Sequence, residues 1–207
     1  EAIVRNYLVT NPEVLSEAIT ALGKHEQQKV FASLLSQGND PSIGPKDAAI
    51  TIVEFFDYNC GYCKAATDWV FEQVDDRQGD VRVVIKEFPI LSESSVEAAK
   101  AALAADRQGK YREMHAALMR SRDLTPEGIE KTARSVGLNI DRWKKDMASD
   151  AVLIQIDQVM EQGENAGIRG TPGFFINGLF LNGFDKARLQ RLVDDARKEA
   201  KAAKSAG

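Results

Sequence analysis

The chain is poor in cysteine and histidine, with two of each in 207 residues, and that scarcity restricts its chemistry. Two cysteines cannot build the disulfide framework that holds small secreted domains together. His25 and His115 are isolated within helical patterns, offer no partner for catalysis or metal, and read as ordinary helix residues. No run of about 18 apolar residues occurs, so no segment is expected to insert into a membrane. Neither sign of charge forms a long block, and 27 basic against 31 acidic residues leave a net charge of -4. A nucleic-acid binder needs a concentrated basic face, so nucleic acid is not an expected partner. Hydrophobic residues, at 43%, suffice for one generous core or for one core and a small satellite domain. The start at Glu1, without initiator Met or basic-then-apolar leader, fits a removed signal peptide or a recombinant truncation.

What is present falls into segments. Residues 1–38 read as a helical arm, in which Asn11-Pro12-Glu13 offers an N-cap, a first-position proline and an acid in the first turn. Leu15, Ile19, Leu22, Val30, Phe31, Leu34 and Leu35 recur at helical spacing, after a weaker turn carrying Val4, Tyr7 and Leu8. The Gly-, Pro- and Asp-containing stretch 39–47 reads as a linker. "AAITIVEFFD" (48–57) and "VRVVIKEF" (81–88) are β-prone and flank a helical pattern with Cys63, Ala66, Val70 and Val74 on one face. Such a βαβ unit predicts parallel strands.

Residues 92–166 switch to helical periodicity, with helices expected at 94–107, 110–120, 126–136, 139–147 and 150–165. Thr125-Pro126-Glu127 caps one of them, and Val152, Ile156, Val159, Met160 and Gly163 mark the inner stripe of the last. "GTPGFFINGLFLNG" (170–183) returns to β, with Asn177-Gly178 as a hairpin turn. A closing helix from about Asp185 turns Leu189, Leu192, Val193 and Ala196 inward, and its end, "KEAKAAKSAG", is expected to fray.

Cys60 and Cys63 are the chemical feature. Structural zinc needs about four ligands, and no second pair or histidine partner is present. A disulfide across so short a loop restrains the unfolded chain little. The redox reading fits the context best, with soft-metal binding left as an alternative. At a helix N-terminus a thiolate faces unpaired N–H groups and the positive end of the helix dipole, which lowers its pKa. A second cysteine one turn on is placed to resolve a mixed disulfide.

"VEFFDYNCGYCK", followed after a helical block by "GTPGFFING", resembles the bacterial DsbA-like thiol:disulfide oxidoreductases over about residues 48–200. The resemblance implies an α/β thioredoxin fold, formed by 48–91 and 167–207, with an inserted helical domain at 92–166. It makes Cys60 the exposed nucleophile and Cys63 the more buried resolving cysteine, with the Cys60–Cys63 disulfide as redox centre and no other cofactor. Gly61 and Tyr62 stand where the strong oxidants of that family carry Pro-His. Without an imidazolium, Cys60 should be less acidic and the couple less oxidising. Gly61-Tyr62 and Thr171 resemble the disulfide isomerases instead. Locally, Thr171-Pro172-Gly173 fits a trans type II turn. The resemblance reverses this: it implies a cis Pro172 beside the cysteines, with the Thr171 backbone free to bind substrate.

Glu54 sits in an apolar strand, either on an exposed face or, as the resemblance implies, buried as a proton relay to Cys63. Lys86 reads as a solvated strand end more readily than as a partner for Glu54, and Tyr58, Phe174 and Phe175 as core or rim. "YLVTNPEVLSEAI" resembles the N-terminal segment of the ScsC-type suppressor-of-copper-sensitivity proteins. That implies a self-associating arm, trimer ahead of dimer. The implied activity is disulfide isomerisation or oxidoreduction in the bacterial periplasm or envelope, with disulfide- or thiol-bearing substrate proteins and a membrane redox partner protein. Net dithiol oxidation and Cu(I) binding by Cys60 and Cys63 are the alternatives.

Overall fold

In the computed structural model, which describes residues 2–36, 38–76 and 78–206, the alternating elements assemble around one mixed sheet. Helices α1 (Ala2–Thr10) and α2 (Pro12–Leu35) lead into a two-residue strand, β1 (Ser42–Ile43). Then come β2 (Ile50–Phe56), α3 (Gly61–Asp75) and β3 (Val81–Glu87). Five helices follow: α4 (Glu93–Asp106), α5 (Tyr111–Arg120), α6 (Pro126–Ser135), α7 (Ile140–Met147) and α8 (Asp150–Asn165). The chain returns through β4 (Gly173–Ile176) and β5 (Leu179–Asn182) to α9 (Lys186–Ala206). No described helix is long and apolar enough to cross a membrane.

The sheet order is β1-β3-β2-β4-β5, with β2 and β3 parallel and the other pairs antiparallel. Period-two alternation divides β2 and β3 between two apolar clusters. Ile50, Ile52, Phe56, Val81, Val83 and Ile85 face the cluster that includes Trp69 and Val70 of α3 and Leu189 and Val193 of α9. Val53, Phe55, Val84 and Phe88 face the other, with Phe31 and Leu34 of α2 and Val159 of α8. Burial on both faces explains why these strands read as continuous apolar runs. Alpha-helix α8 approaches closely at Gly163, where a Cβ would stand 2.4 Å from the Phe88 ring. Asn177, at φ 45°, and Gly178, at φ 96°, form the hairpin turn.

Two boundaries differ from expectation. The segment read as a linker contains β1, which pairs with β3 as Ser42↔Val84 and Ile43↔Val83, and Pro41 O accepts the Ile85 N–H at 2.9 Å. A two-residue strand is too short for alternation to register in the sequence. The arm read as 1–38 is not separable along its whole length, because Phe31 and Leu34 are core residues and Gln28 Nε2 donates to Asn177 O at 2.7 Å. Its exposed part comprises α1 and the first half of α2, where Ile3, Val4, Tyr7, Leu15, Ile19 and Leu22 lie open to solvent. The tail expected to fray continues α9 as helix to Ala206, and Gly207 lies outside the described residues.

Candidate active site

Strand β2 delivers the cysteine loop to the C-terminal edge of the sheet, and Cys60 becomes the N-cap of α3. Its carbonyl accepts the first helical bond from Lys64 N–H at 3.0 Å, and its sulfur accepts the Cys63 N–H at 3.4 Å. Both cysteines are free thiols. The pairing of β4 with β2, Gly173 opposite Phe55, brings Pro172 alongside that loop, and the Thr171–Pro172 bond is cis. The Cys60 thiol donates to Thr171 O at 3.3 Å. Here Cys60 is less open than the resemblance implied: it is 7% exposed and Cys63 fully buried. The Thr171 backbone lies against the Cys60 sulfur. By contrast Tyr62 is 71% exposed, and Gly61 is exposed beside it.

The two thiols are pushed apart in acidity. Hydrogen bonding from the Cys63 side chain, with help from the Thr171 side chain and the Cys63 and Tyr62 backbone, brings Cys60 down from 9.0 to about 5. These local donors act without an imidazolium between the cysteines. Burial, with hydrogen bonding to Cys60 and the field of Glu54, drives Cys63 far up. The fold therefore favours the thiolate at Cys60 and the protonated thiol at Cys63.

Glu54 is buried at 1% exposure, paired across the sheet with Ile85 and Phe174. Burial first, and then the charge of Cys60, raise its carboxyl from 4.5 to about 8. Lys86 is not its partner: the register sets Lys86 beside Phe55, on the opposite face. Nor is Lys86 a solvated strand end. It is fully buried, and its Nζ donates to Asp40 Oδ2, to Leu34 O at 2.6 Å and to Gln162 Oε1 at 2.7 Å. A lone ammonium in a core would be costly, and three acceptors including one carboxylate are what hold it there.

Sequence reasoning missed the mount of the cysteine loop. Asp57, 1% exposed, accepts from Asn59 N at 2.7 Å, Leu91 N at 2.9 Å and Ser95 Oγ at 2.7 Å. Asn59 Nδ2 lies 2.9 Å from both Ser92 Oγ and Ser95 Oγ at the start of α4. Tyr58 donates to Glu87 Oε1 at 3.0 Å and contacts His115 Nδ1 at 3.1 Å, so His115 is a core histidine with a polar partner rather than an ordinary helix residue. The available signal was Lys86-Glu87, two adjacent ionisable residues in an otherwise apolar strand. Among the described residues no three His, Cys, Asp or Glu side chains gather as a metal site.

Comparison with known proteins agrees with this geometry. A thioredoxin family model matches residues 36–195, and a copper resistance protein ScsC N-terminal domain model matches residues 1–29. A thioredoxin-like oxidoreductase from Silicibacter pomeroyi superposes with a TM-score of 0.75 at 41% identity, covering 81% of this chain and 97% of that one. ScsC from Proteus mirabilis, in a compact conformation, gives a TM-score of 0.71 at 32% identity over 97% of both chains. A curated relative, the Na(+)/H(+) antiporter NhaA 3 of Salinispora tropica, is 34% identical over 138 residues, 65% of this chain. The match spans about a fifth (21%) of that relative's length. With a sheet, a cysteine pair and a cis proline in the thioredoxin arrangement, and with both segment matches in order, the chain belongs to the thioredoxin family and carries a ScsC-type N-terminal segment.

Proposed function

We propose that the protein is a disulfide isomerase and oxidoreductase of the bacterial envelope, acting on protein disulfides through Cys60 and Cys63. The observation that carries this reading is the divergence of the two thiols, Cys60 at about 5 and Cys63 far above its ordinary value, beside the Thr171 carbonyl. The Cys60 thiolate attacks one sulfur of a substrate disulfide, forming the Cys60–substrate bond and releasing the other substrate sulfur as thiolate. If a substrate thiolate then attacks the mixed disulfide, Cys60 leaves as thiolate and the substrate has been isomerised with no net redox change. If Cys63 attacks instead, Glu54 as carboxylate takes the Cys63 proton, and substrate leaves as dithiol while Cys60–Cys63 becomes the disulfide. The Thr171 backbone, with exposed Gly61 and Tyr62, forms the rim on which the substrate chain lies.

Isomerisation gains when several sites face one substrate, and the arm supports that arrangement. Ile3, at 86% exposed, Val9, at 71%, and Ile19, at 70%, leave large apolar side chains of the arm open to solvent. Self-association of α1 and the first half of α2, as a trimer ahead of a dimer, covers them. Envelope localisation suits disulfide chemistry, which needs an oxidising compartment with a membrane partner to reset the couple. The test is refolding of a scrambled-disulfide protein by the full chain and by a chain lacking residues 1–24. The cut stops there because Phe31, Leu34 and Asp40 belong to the core or its ion pair. Loss of isomerisation and of oligomer in sedimentation, with dithiol oxidation retained, is expected. Oxidation without isomerisation in the full chain would make the protein a net dithiol oxidase.

The same two thiols offer linear two-sulfur coordination to Cu(I). Titration of the reduced chain with Cu(I), expected at one ion per chain and none in Cys60→Ala, tests that second role.

A further inference from the structure

The loop that carries Cys60 is held on one side by α4, through Asp57 and Asn59. On its other side stands a buried polar cluster with no part in the steps above. Tyr58, two residues before the nucleophile, is 1% exposed; Glu87 is 2% and His115 1% exposed. Glu87 Oε1 accepts from the Tyr58 hydroxyl at 3.0 Å and from the Tyr111 hydroxyl at 2.7 Å. Tyr58 has one proton and two neighbours, so a proton donated to Glu87 leaves His115 Nδ1, 3.1 Å away, to be the donor to the Tyr58 oxygen. The bonds then run as one chain, from His115 to Tyr58 to Glu87, with Tyr111 closing from α5. The rings are packed as tightly, Tyr111 stacked on His115 at 5.6 Å and Phe56 edge-on to both His115 and Tyr58.

The chain of bonds spans three elements: Tyr58 on the cysteine loop, Glu87 at the end of β3, Tyr111 and His115 on α5 of the inserted helices. We infer that Glu87 is a positioning residue for the thiol chemistry, holding Tyr58, and with it the Cys60 loop, in register with the inserted helical domain. The acidity of Cys60 depends on donors from Cys63, Tyr62 and Thr171 that meet its sulfur only if the loop stays in place. Displacement by a fraction of an ångström weakens all of them together. Glu54 and Asp57 also bear on Glu87 and both raise it, whereas the hydrogen bonds from Tyr111 and Tyr58 oppose that rise and orient the carboxyl.

The inference rests on Cys60 being the attacking thiol, which Cys60→Ser tests separately by abolishing exchange. In the full chain, Tyr58→Phe, Glu87→Ala and Glu87→Gln are compared by thermal melting, by ultraviolet titration of the Cys60 thiolate and by kcat/KM for reduction of a disulfide peptide. Tyr58→Phe keeps the ring and removes only the hydroxyl. It is expected to raise the thiolate midpoint and to lower kcat/KM about tenfold, with a cooperative melt retained. Glu87→Ala is expected to act likewise, and Glu87→Gln to rescue, because the amide oxygen still accepts from both tyrosines. Unchanged midpoint and rate in folded Tyr58→Phe overturn the inference. So does Glu87→Gln falling as far as Glu87→Ala, which would assign the effect to charge rather than to the bond. If Glu87→Ala does not fold, Tyr58→Phe and Glu87→Gln decide alone.

Discussion

Lys86 and Glu87 are neighbours in β3, each burying an ionisable group, yet they point to opposite faces of the sheet and meet opposite surroundings. Lys86 looks toward α2 and α8. There Asp40 supplies a counter-charge, and Leu34 O and Gln162 Oε1 take its remaining protons. Burial lowers its pKa and Asp40 opposes that, so the pair joins the end of α2, the segment before β1, α8 and the sheet. Glu87 looks toward the cysteine loop and α5, on the same face as Glu54, and the groups acting on these two carboxyls include no cation. Burial then pushes both acids toward the neutral form. A buried charge with a complete set of partners fastens elements together; a buried acid without a counter-ion is held toward its protonated form.

The largest expected effect is on the acid side. Glu54 titrates at about 8 in the fold against 4.5 ordinarily, so between those values the folded state holds a proton that the unfolded chain has released. Stability from this group is therefore fully present below pH 4.5 and is lost as pH rises toward 8. The loss is on the order of 5 kcal/mol. Glu54→Gln removes the titration, so its advantage over the parent should grow across that window in urea unfolding at stepped pH. Its single-turnover resolution of the mixed disulfide should slow by about a hundredfold. Equal pH slopes in parent and variant would return Glu54 to an ordinary strand residue.

On the paired side, Asp40→Ala leaves Lys86 buried with only neutral acceptors, and a loss of about 3 kcal/mol is expected. Its sign with pH is opposite. The buried lysine releases its proton before the unfolded chain does, so stability should recover as pH approaches 10.5. Thiol exchange per folded molecule should hardly change, because Lys86 faces away from the cysteines. A variant that lost activity in parallel with stability would break the division between the two faces.

Much of this was legible in the sequence where a pattern is local. Helices α4 to α8 lie within about one residue of their expected bounds, because capping groups such as Thr125 and Ser92 mark their starts. The hairpin followed from Asn177-Gly178 and the βαβ unit from its periodicity. Partners far apart in sequence were not legible. Tyr58 finds Glu87 29 residues away and His115 57 residues away, and Lys86 finds Asp40 46 residues away. No periodicity encodes such meetings, so Tyr58 and His115 passed as plain core or helix residues and Lys86 as a strand end. The cut between arm and body was hidden for the same reason, since α2 is one unbroken helix whose last turns alone reach the sheet.

The smallest effect isolates burial from pairing. Arg120 Nη2 lies 3.2 Å from Asp68 Oδ1, joining α5 to α3 much as Lys86 and Asp40 join their elements. These side chains, however, are 65% and 77% exposed. Water already solvates both ions, so their attraction is weak and ordering two long side chains offsets most of it. Arg120→Ala should stay within about 0.5 kcal/mol of the parent in urea unfolding, with even that difference vanishing in high salt. A cost near that of Asp40→Ala would mean that charge pairing, wherever it occurs, holds the helical block to the sheet. A negligible cost leaves desolvation as the quantity that separates the Lys86 face from the surface and, on the other face of the sheet, raises the Glu54 carboxyl.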